Sequence, residues 1–265
     1  MTDTAKPFLT VSGLTVRYGS KTAVNQVSFQ AHFGELTAII GNNGCGKTTL
    51  IKAILNLLPH SGCCTLNEQP LEKLSLRSRA KKISYLPQKS GISTSMTVQE
   101  VCLLGFNPRL HLFEAPNTSM KEQVQNALET VGLMEHAEQD FLTLSEGQKQ
   151  LCLLARTLIE DAPLLLLDEP DSSLDFSNRH LLMRQIQAMV TKQRCALMCI
   201  HSPELALRYC DRILLIKNGE LAASLSPSIA TLSELNEKLS LIYDNIQVTE
   251  CTDCNGKRHR VVVSL

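Results

Sequence analysis

The stretch Leu36–Leu50, LTAIIGNNGCGKTTL, constrains the fold of this chain more than any other. An apolar, strand-like LTAII runs into Gly41-Asn42-Asn43-Gly44-Cys45-Gly46-Lys47-Thr48, which fits G-x-x-x-x-G-K-[ST], and a helix-like TTLIKAILNLL follows. Strand, glycine-rich turn and helix in that order predict a phosphate-binding loop in an α/β fold. The chemistry needs these residue types. Glycines let successive N–H groups curl around phosphate oxygens, the Lys47 ammonium can bridge the outer phosphates, and the Thr48 hydroxyl can ligate Mg²⁺.

Composition sets the bounds. With 265 residues, 43% of them hydrophobic, the chain can bury a sizeable core. Lys+Arg and Asp+Glu both number 26, so no net charge draws it to nucleic acid or anionic lipid, and no nucleic-acid partner is expected. The start, MTDTAKPFLT, lacks a basic segment followed by an apolar core, and no apolar run approaches the roughly 18 residues that span a bilayer. A cytosolic, unprocessed chain is expected. Most of the ten cysteines sit in apolar runs (Cys102, Cys152, Cys195, Cys199, Cys210), which predicts reduced core residues. No internal repeat or low-complexity segment is present.

Ahead of the loop, residues 8–17 and 23–31 read as antiparallel strands joined at Tyr18-Gly19-Ser20. Tyr18 suits hairpin packing and base stacking equally. Beyond the loop helix, CCTLNEQP reads as a short strand and turn, LEKLSLRSRAKK as helix-compatible, and ISYLPQ as a strand ending at Gln88, a candidate to reach a metal. VQEVCLLGF, MKEQVQNALETVGL and GQKQLCLLARTLIE carry apolar residues at helical spacing, with the turn-rich NPRLHLFEAPNTS between the first two. They predict a helical insert. Leu144-Ser145-Glu146-Gly147-Gln148 starts its last helix, with Ser145 near the cap and Gln148 three residues on.

Pro163-Leu164-Leu165-Leu166-Leu167-Asp168-Glu169-Pro170 then reads as a strand buried on both faces, as in a parallel sheet, ending in two carboxylates at the ligand-binding edge. Asp168 suits support of the metal held by Thr48, and Glu169 suits polarising a water for attack. A helix over 177–192, a strand over 195–200, a helix over 203–210 and the strand RILLIK follow. His201, at a strand's C-terminal end, faces the same edge as the phosphates and is a candidate γ-phosphate contact. Asn218-Gly219 signals a hairpin. The tail predicts a helix, PSIATLSELNEKLSLIY, then two strands around Cys251-Thr252-Asp253-Cys254-Asn255-Gly256. With His259 the cysteines offer three soft ligands, where a closed zinc site wants four, so a tight hairpin with two surface cysteines stands beside metal binding or redox sensing.

In order and spacing these motifs resemble the ATP-binding cassette family, the nucleotide-binding subunits of ABC transporters, over nearly the whole chain to about residue 225. The resemblance implies an α/β P-loop NTPase with a mixed sheet core, an N-terminal antiparallel β layer and an inserted α-helical subdomain. It implies one cassette over 1–265: an ATP-binding core of 1–92 and 161–225, a helical signature subdomain of 93–160 and a C-terminal extension of 226–265. ATP and Mg²⁺ are the implied cofactors. By the resemblance Tyr18 is the A-loop residue, Gly41, Asn42, Asn43, Gly44, Cys45, Gly46, Lys47, Thr48 and Thr49 bind ATP, and Thr48, Gln88 and Asp168 serve the metal. Glu169, His201 and Lys47 are implied to be catalytic. Ser145, Gly147, Gln148 and Asp175 are implied to act in trans on the ATP of a second copy, which makes a two-fold homodimer.

The signature of the family usually reads LSGGQ, and here Glu146 replaces its first glycine. A carboxylate aimed at the γ-phosphate would oppose closure, so its side chain is expected to turn away. TVQEVCLLGFNP and the chain length resemble the ATPases of importers for iron-siderophore, haem, cobalamin and related metal chelates, although Phe106 stands where G-R-x-P places Arg. That branch implies integral membrane permease subunits, an extracytoplasmic substrate-binding protein as an indirect partner, and a position on the cytoplasmic face of the membrane. The alternatives are a soluble ABC ATPase of an assembly or repair machine and a regulatory ATP sensor.

Overall fold

A computed structural model describes residues 6–111, 114–254, 256 and 258–265. The chain divides into two compact units, Met1–Lys73 with Val190–Leu265 and Leu74–Met189. The predicted loop 107–119 and the turn at 251–256 include Leu112, Phe113 and Asn255, which lie outside the described residues.

In chain order the first unit opens with β1 (Leu9–Tyr18), β2 (Lys21–Ala31) and β3 (Leu36–Ile40), then α1 (Lys47–Ile54), β4 (Ser61–Leu66) and β5 (Gln69–Pro70). The second holds α2 (Leu76–Ala80), β6 (Ile83–Leu86), α3 (Val98–Leu103), α4 (Thr118–Val131), α5 (Glu146–Glu160), β7 (Leu164–Asp168) and α6 (Phe176–Met189). The chain then returns to the first with β8 (Cys195–Cys199), α7 (Pro203–Tyr209), β9 (Arg212–Lys217), β10 (Glu220–Leu225), α8 (Leu232–Leu239), β11 (Ile246–Thr252) and β12 (Arg258–Ser264).

In the first unit β2, β1, β4 and β5 form an antiparallel sheet, from the alternating 8–31 segment. β3 lies between β8 and β9 in parallel, and β10 adds antiparallel to β9, so the second sheet is mixed. β3 and β8 are buried at every residue, as strands covered on both faces must be. The β9–β10 turn places Asn218 and Gly219 at φ +53° and +83°, the two positive values of a type I′ turn.

In the second unit β6 and β7 pair in parallel, and Leu164–Leu167 are all fully buried. Two expected helices are shorter than read. LEKLSLRSRAKK forms a single 3-10 turn, Leu71–Lys73, before Ser75 caps the short α2. The tail helix occupies only Leu232–Leu239, because Thr231 and Glu234 form a capping box that starts it late. Cys45, Cys64, Cys102, Cys152, Cys195, Cys199 and Cys210 are free and buried.

Candidate functional site

The first unit holds the loop expected to bind phosphate. β3 ends at Ile40 and the chain bends through Gly44 and Gly46 at φ +75° and +109°. A Cβ at Gly41 would fall 2.2 Å from the Ile216 carbonyl oxygen, and one at Gly46 2.4 Å from that of Ala23. Neither position admits a side chain, so the loop's own backbone faces whatever binds. α1 then begins with no side-chain cap and no acidic residue in its first turn. Its first N–H groups and the positive end of its dipole therefore suit an anion.

Lys47 is only 4% exposed, and its ammonium donates to the Gly41 and Asn42 carbonyls at 2.9 and 3.4 Å. It is a cation folded over the loop it belongs to. Asn42, Asn43 and Gly44 are exposed, and Thr48 and Thr49 half-buried. Burial pushes the Cys45 thiol up, with the Lys47 charge pulling the other way, so the loop keeps a neutral sulfur at its base. Excluded Cβ positions, an uncapped helix start and a buried ammonium together fit a polyphosphate.

His201 follows β8, which runs parallel to β3, and the Ile200 N–H donates to the Ile39 carbonyl at 3.2 Å. The P-loop and the exposed His201 thus leave one sheet edge side by side. Tyr18, at the end of β1, is 51% exposed, so hairpin packing does not consume its ring.

The second unit gathers the carboxylates and the signature. Asp168 closes β7 and is 1% exposed. Glu169 stands at φ +52°, a conformation that costs a non-glycine residue about 1–3 kcal/mol. Gln88, just past β6, donates from Nε2 to Glu169 Oε2 at 2.5 Å. The structure therefore brings Gln88 to the carboxylate read as water-polarising.

At the start of α5, Ser145 Oγ accepts from the Gln148 N–H at 3.3 Å and Gln148 Oε1 from the Ser145 N–H at 3.0 Å, the reciprocal box expected from the sequence. A Cβ at Gly147 would press on Leu174 and the Ser173 carbonyl. Glu146 accepts from Lys149 Nζ, one turn further along α5, at 2.8 Å with its side chain 73% exposed. Asp175 accepts from the Asn178 N–H at 2.8 Å, at the start of α6.

Two participants were missed in the sequence. Gln150, 5% exposed on α5, donates to the Gln88 carbonyl at 2.8 Å and ties the signature helix to the Gln88 loop. Its only signal was a polar residue within an apolar stripe. Tyr243, which the sequence assigned to a helix, donates from its hydroxyl to the His201 carbonyl at 3.0 Å. In the tail Cys251 and Cys254 are exposed, and His259 bonds Asp253 at 2.8 Å. Among the described residues no group of three or more His, Cys, Asp or Glu side chains is placed to hold a metal.

Residues 24–172 match the model of the ABC transporter family. The chain belongs to the ABC transporter family. This ABC subunit is 33% identical over 216 residues to the petrobactin import ATP-binding protein of Bacillus anthracis, covering 81% of the chain and 79% of that relative. To a manganese transport system ATP-binding protein of Listeria monocytogenes it is 33% identical over 241 residues, 90% of the chain and 97% of the relative. Its fold matches that of an inward-facing ABC transporter of metal-chelate type with a TM-score of 0.81 at 23% identity, over 98% of this chain and 97% of the other. The cassette is an ATP-binding one with the expected architecture: mixed sheet, antiparallel N-terminal sheet and helical insertion. No helix among the described residues is long and apolar enough to cross a membrane.

Proposed function

We propose that this chain is the ATP-hydrolysing subunit of an importer that takes up a metal chelate, of iron-siderophore, haem or cobalamin type, through a separate membrane permease. The observation that carries the reading is the 33% identity with the petrobactin import protein over 81% of the chain. The geometry supports the chemistry. Lys47 and the N–H groups of the P-loop hold the β- and γ-phosphates and spread the charge that grows on them. Tyr18 stacks on the base. Glu169, oriented by Gln88, polarises the attacking water, and His201 contacts the γ-phosphate. Thr48, Gln88 and Asp168 would hold Mg²⁺, which supplies neutralisation of the outer phosphates when bound.

Ser145, Gly147, Gln148 and Asp175 act on the ATP of a second copy in a head-to-tail pair. Closure of that pair around ATP moves the permease between access states, and hydrolysis reopens it. The catalytic core is then 1–92 with 161–225, the helical subdomain 93–160, and the extension 226–265. The complex lies at the cytoplasmic face of the membrane, is fed by an extracytoplasmic substrate-binding protein and engages no nucleic acid. The Glu146–Lys149 ion pair neutralises the signature carboxylate locally, which supports hydrolysis over a regulatory sensor with blunted turnover.

A bare manganese ion is the second reading of the cargo, favoured by the Listeria relative. Capture of the intact complex from membranes, followed by identification of the permease and its bound ligand, tests both. A chelate confirms the proposal and a manganese ion replaces it. Recovery with soluble partners only, and no integral membrane protein, refutes the importer reading.

A further inference from the structure

The C-terminal extension takes no part in the chemistry above, yet two consecutive residues of it grip the loops that do. Beyond α8 the N–H groups of Ile242 and Tyr243 both donate to the Leu239 carbonyl, at 3.0 and 2.9 Å, and Ile242 is buried. The turn is thereby fixed to α8. That helix is fixed in turn by the Thr231 box and by Asn236, whose amide accepts from the Val248 N–H at 2.6 Å and donates to the Val248 carbonyl at 3.0 Å. From this anchored turn, the Ile242 carbonyl accepts from Asn42 Nδ2 at 3.2 Å and the Tyr243 hydroxyl donates to the His201 carbonyl at 3.0 Å. One end holds the P-loop and the other holds the strand end beside it.

The residue after His201 is equally constrained. Ser202 caps α7, accepting from the Leu205 N–H at 3.3 Å, and Pro203 follows in the first turn. The His201 peptide therefore sits between a helix cap and the tyrosine. We propose that Tyr243 is a positioning residue for ATP hydrolysis, holding the main chain of His201 in one frame with Asn42 of the P-loop. This rests on the reading of His201 and the P-loop as phosphate-facing. Partial burial pushes the phenol up to about 12, so it stays a donor across the physiological range.

Tyr243→Phe keeps the ring and removes the donor. In the full-length chain assembled with its permease, kcat for ATP should fall about 3- to 10-fold, the range one hydrogen bond commands, with KM for ATP within about twofold. Amide exchange over residues 201–204 should quicken by a similar factor, without change elsewhere. Both changes are required, and the absence of either overturns the proposal. A parallel rise in KM with faster exchange across the whole chain marks a purely structural role and overturns it as well. His201→Ala is measured beside it: full turnover in that variant sinks the assignment of His201, whatever the tyrosine does. A wild-type chain without ATP turnover sinks the functional reading, and the exchange comparison then decides alone whether Tyr243 holds His201.

Discussion

Replacing Gln150 should separate stability from turnover. Its Nε2 donates to the Gln88 carbonyl at 2.8 Å, while its Oε1 is buried with no hydrogen-bond partner among the described residues. Gln150→Met keeps the length and shape of the side chain and removes both polar atoms. The lost bond costs about 0.5–1.5 kcal/mol net, and relief of the desolvated oxygen returns about 1–3 kcal/mol. The balance runs from a loss of about 0.5 to a gain of about 2.5 kcal/mol, because the carbonyl left behind belongs to an exposed residue and can turn to water. At about 2–4 °C per kcal/mol, Tm should hold or rise by several degrees. Turnover should drop about 3- to 10-fold, since Gln88 loses its main-chain anchor while its side chain carries Glu169. Denaturant unfolding and ATP turnover on one preparation give both numbers. A stability loss above about 1 kcal/mol would refute the energy balance, and unchanged turnover would refute the link from α5 to Glu169.

Gly46→Ala puts a Cβ 2.4 Å from the Ala23 carbonyl oxygen at φ +109°, so it should cost more than about 1 kcal/mol and weaken ATP binding at least about tenfold, read by unfolding and nucleotide titration. Glu160 is held above its ordinary value of 4.5 by burial, against the opposing pull of Arg156 and Ser84. The folded chain therefore keeps a proton that the unfolded chain releases, and the stability from this group is full below about pH 4.5 and lost as pH rises through the raised value. Glu160→Gln should flatten that part of the stability curve; an identical slope in both proteins would show that another group carries it.

Much of the architecture was legible because it is written locally. Leu164–Leu167 announce a strand buried on both faces, Asn218-Gly219 a type I′ turn, and Ser145 with Gln148 a capping box, each within a few residues. The P-loop could be read for the same reason, since its glycines, Lys47 and the uncapped helix start are contiguous. What escaped depends on partners far away in the chain. Gln150 meets the Gln88 carbonyl 62 residues off, and Asn42 meets Ile242 at a distance of 200. Apolar spacing continues through 227–243 and predicts a longer tail helix, whereas a capping box at Thr231 decides where the helix begins. The left-handed backbone of Glu169 left no trace in composition, being imposed by the sharp exit from β7.

In the proposed mechanism Glu169 activates water at an ATP site whose phosphates are held by Lys47 and the P-loop. ATP turnover of Glu169→Gln in the permease complex, with ATP binding measured in parallel, tests it most directly. Turnover should fall by about 10² to 10⁴, the scale of a general base, with ATP binding retained. Turnover equal to that of the unmodified chain would contradict it.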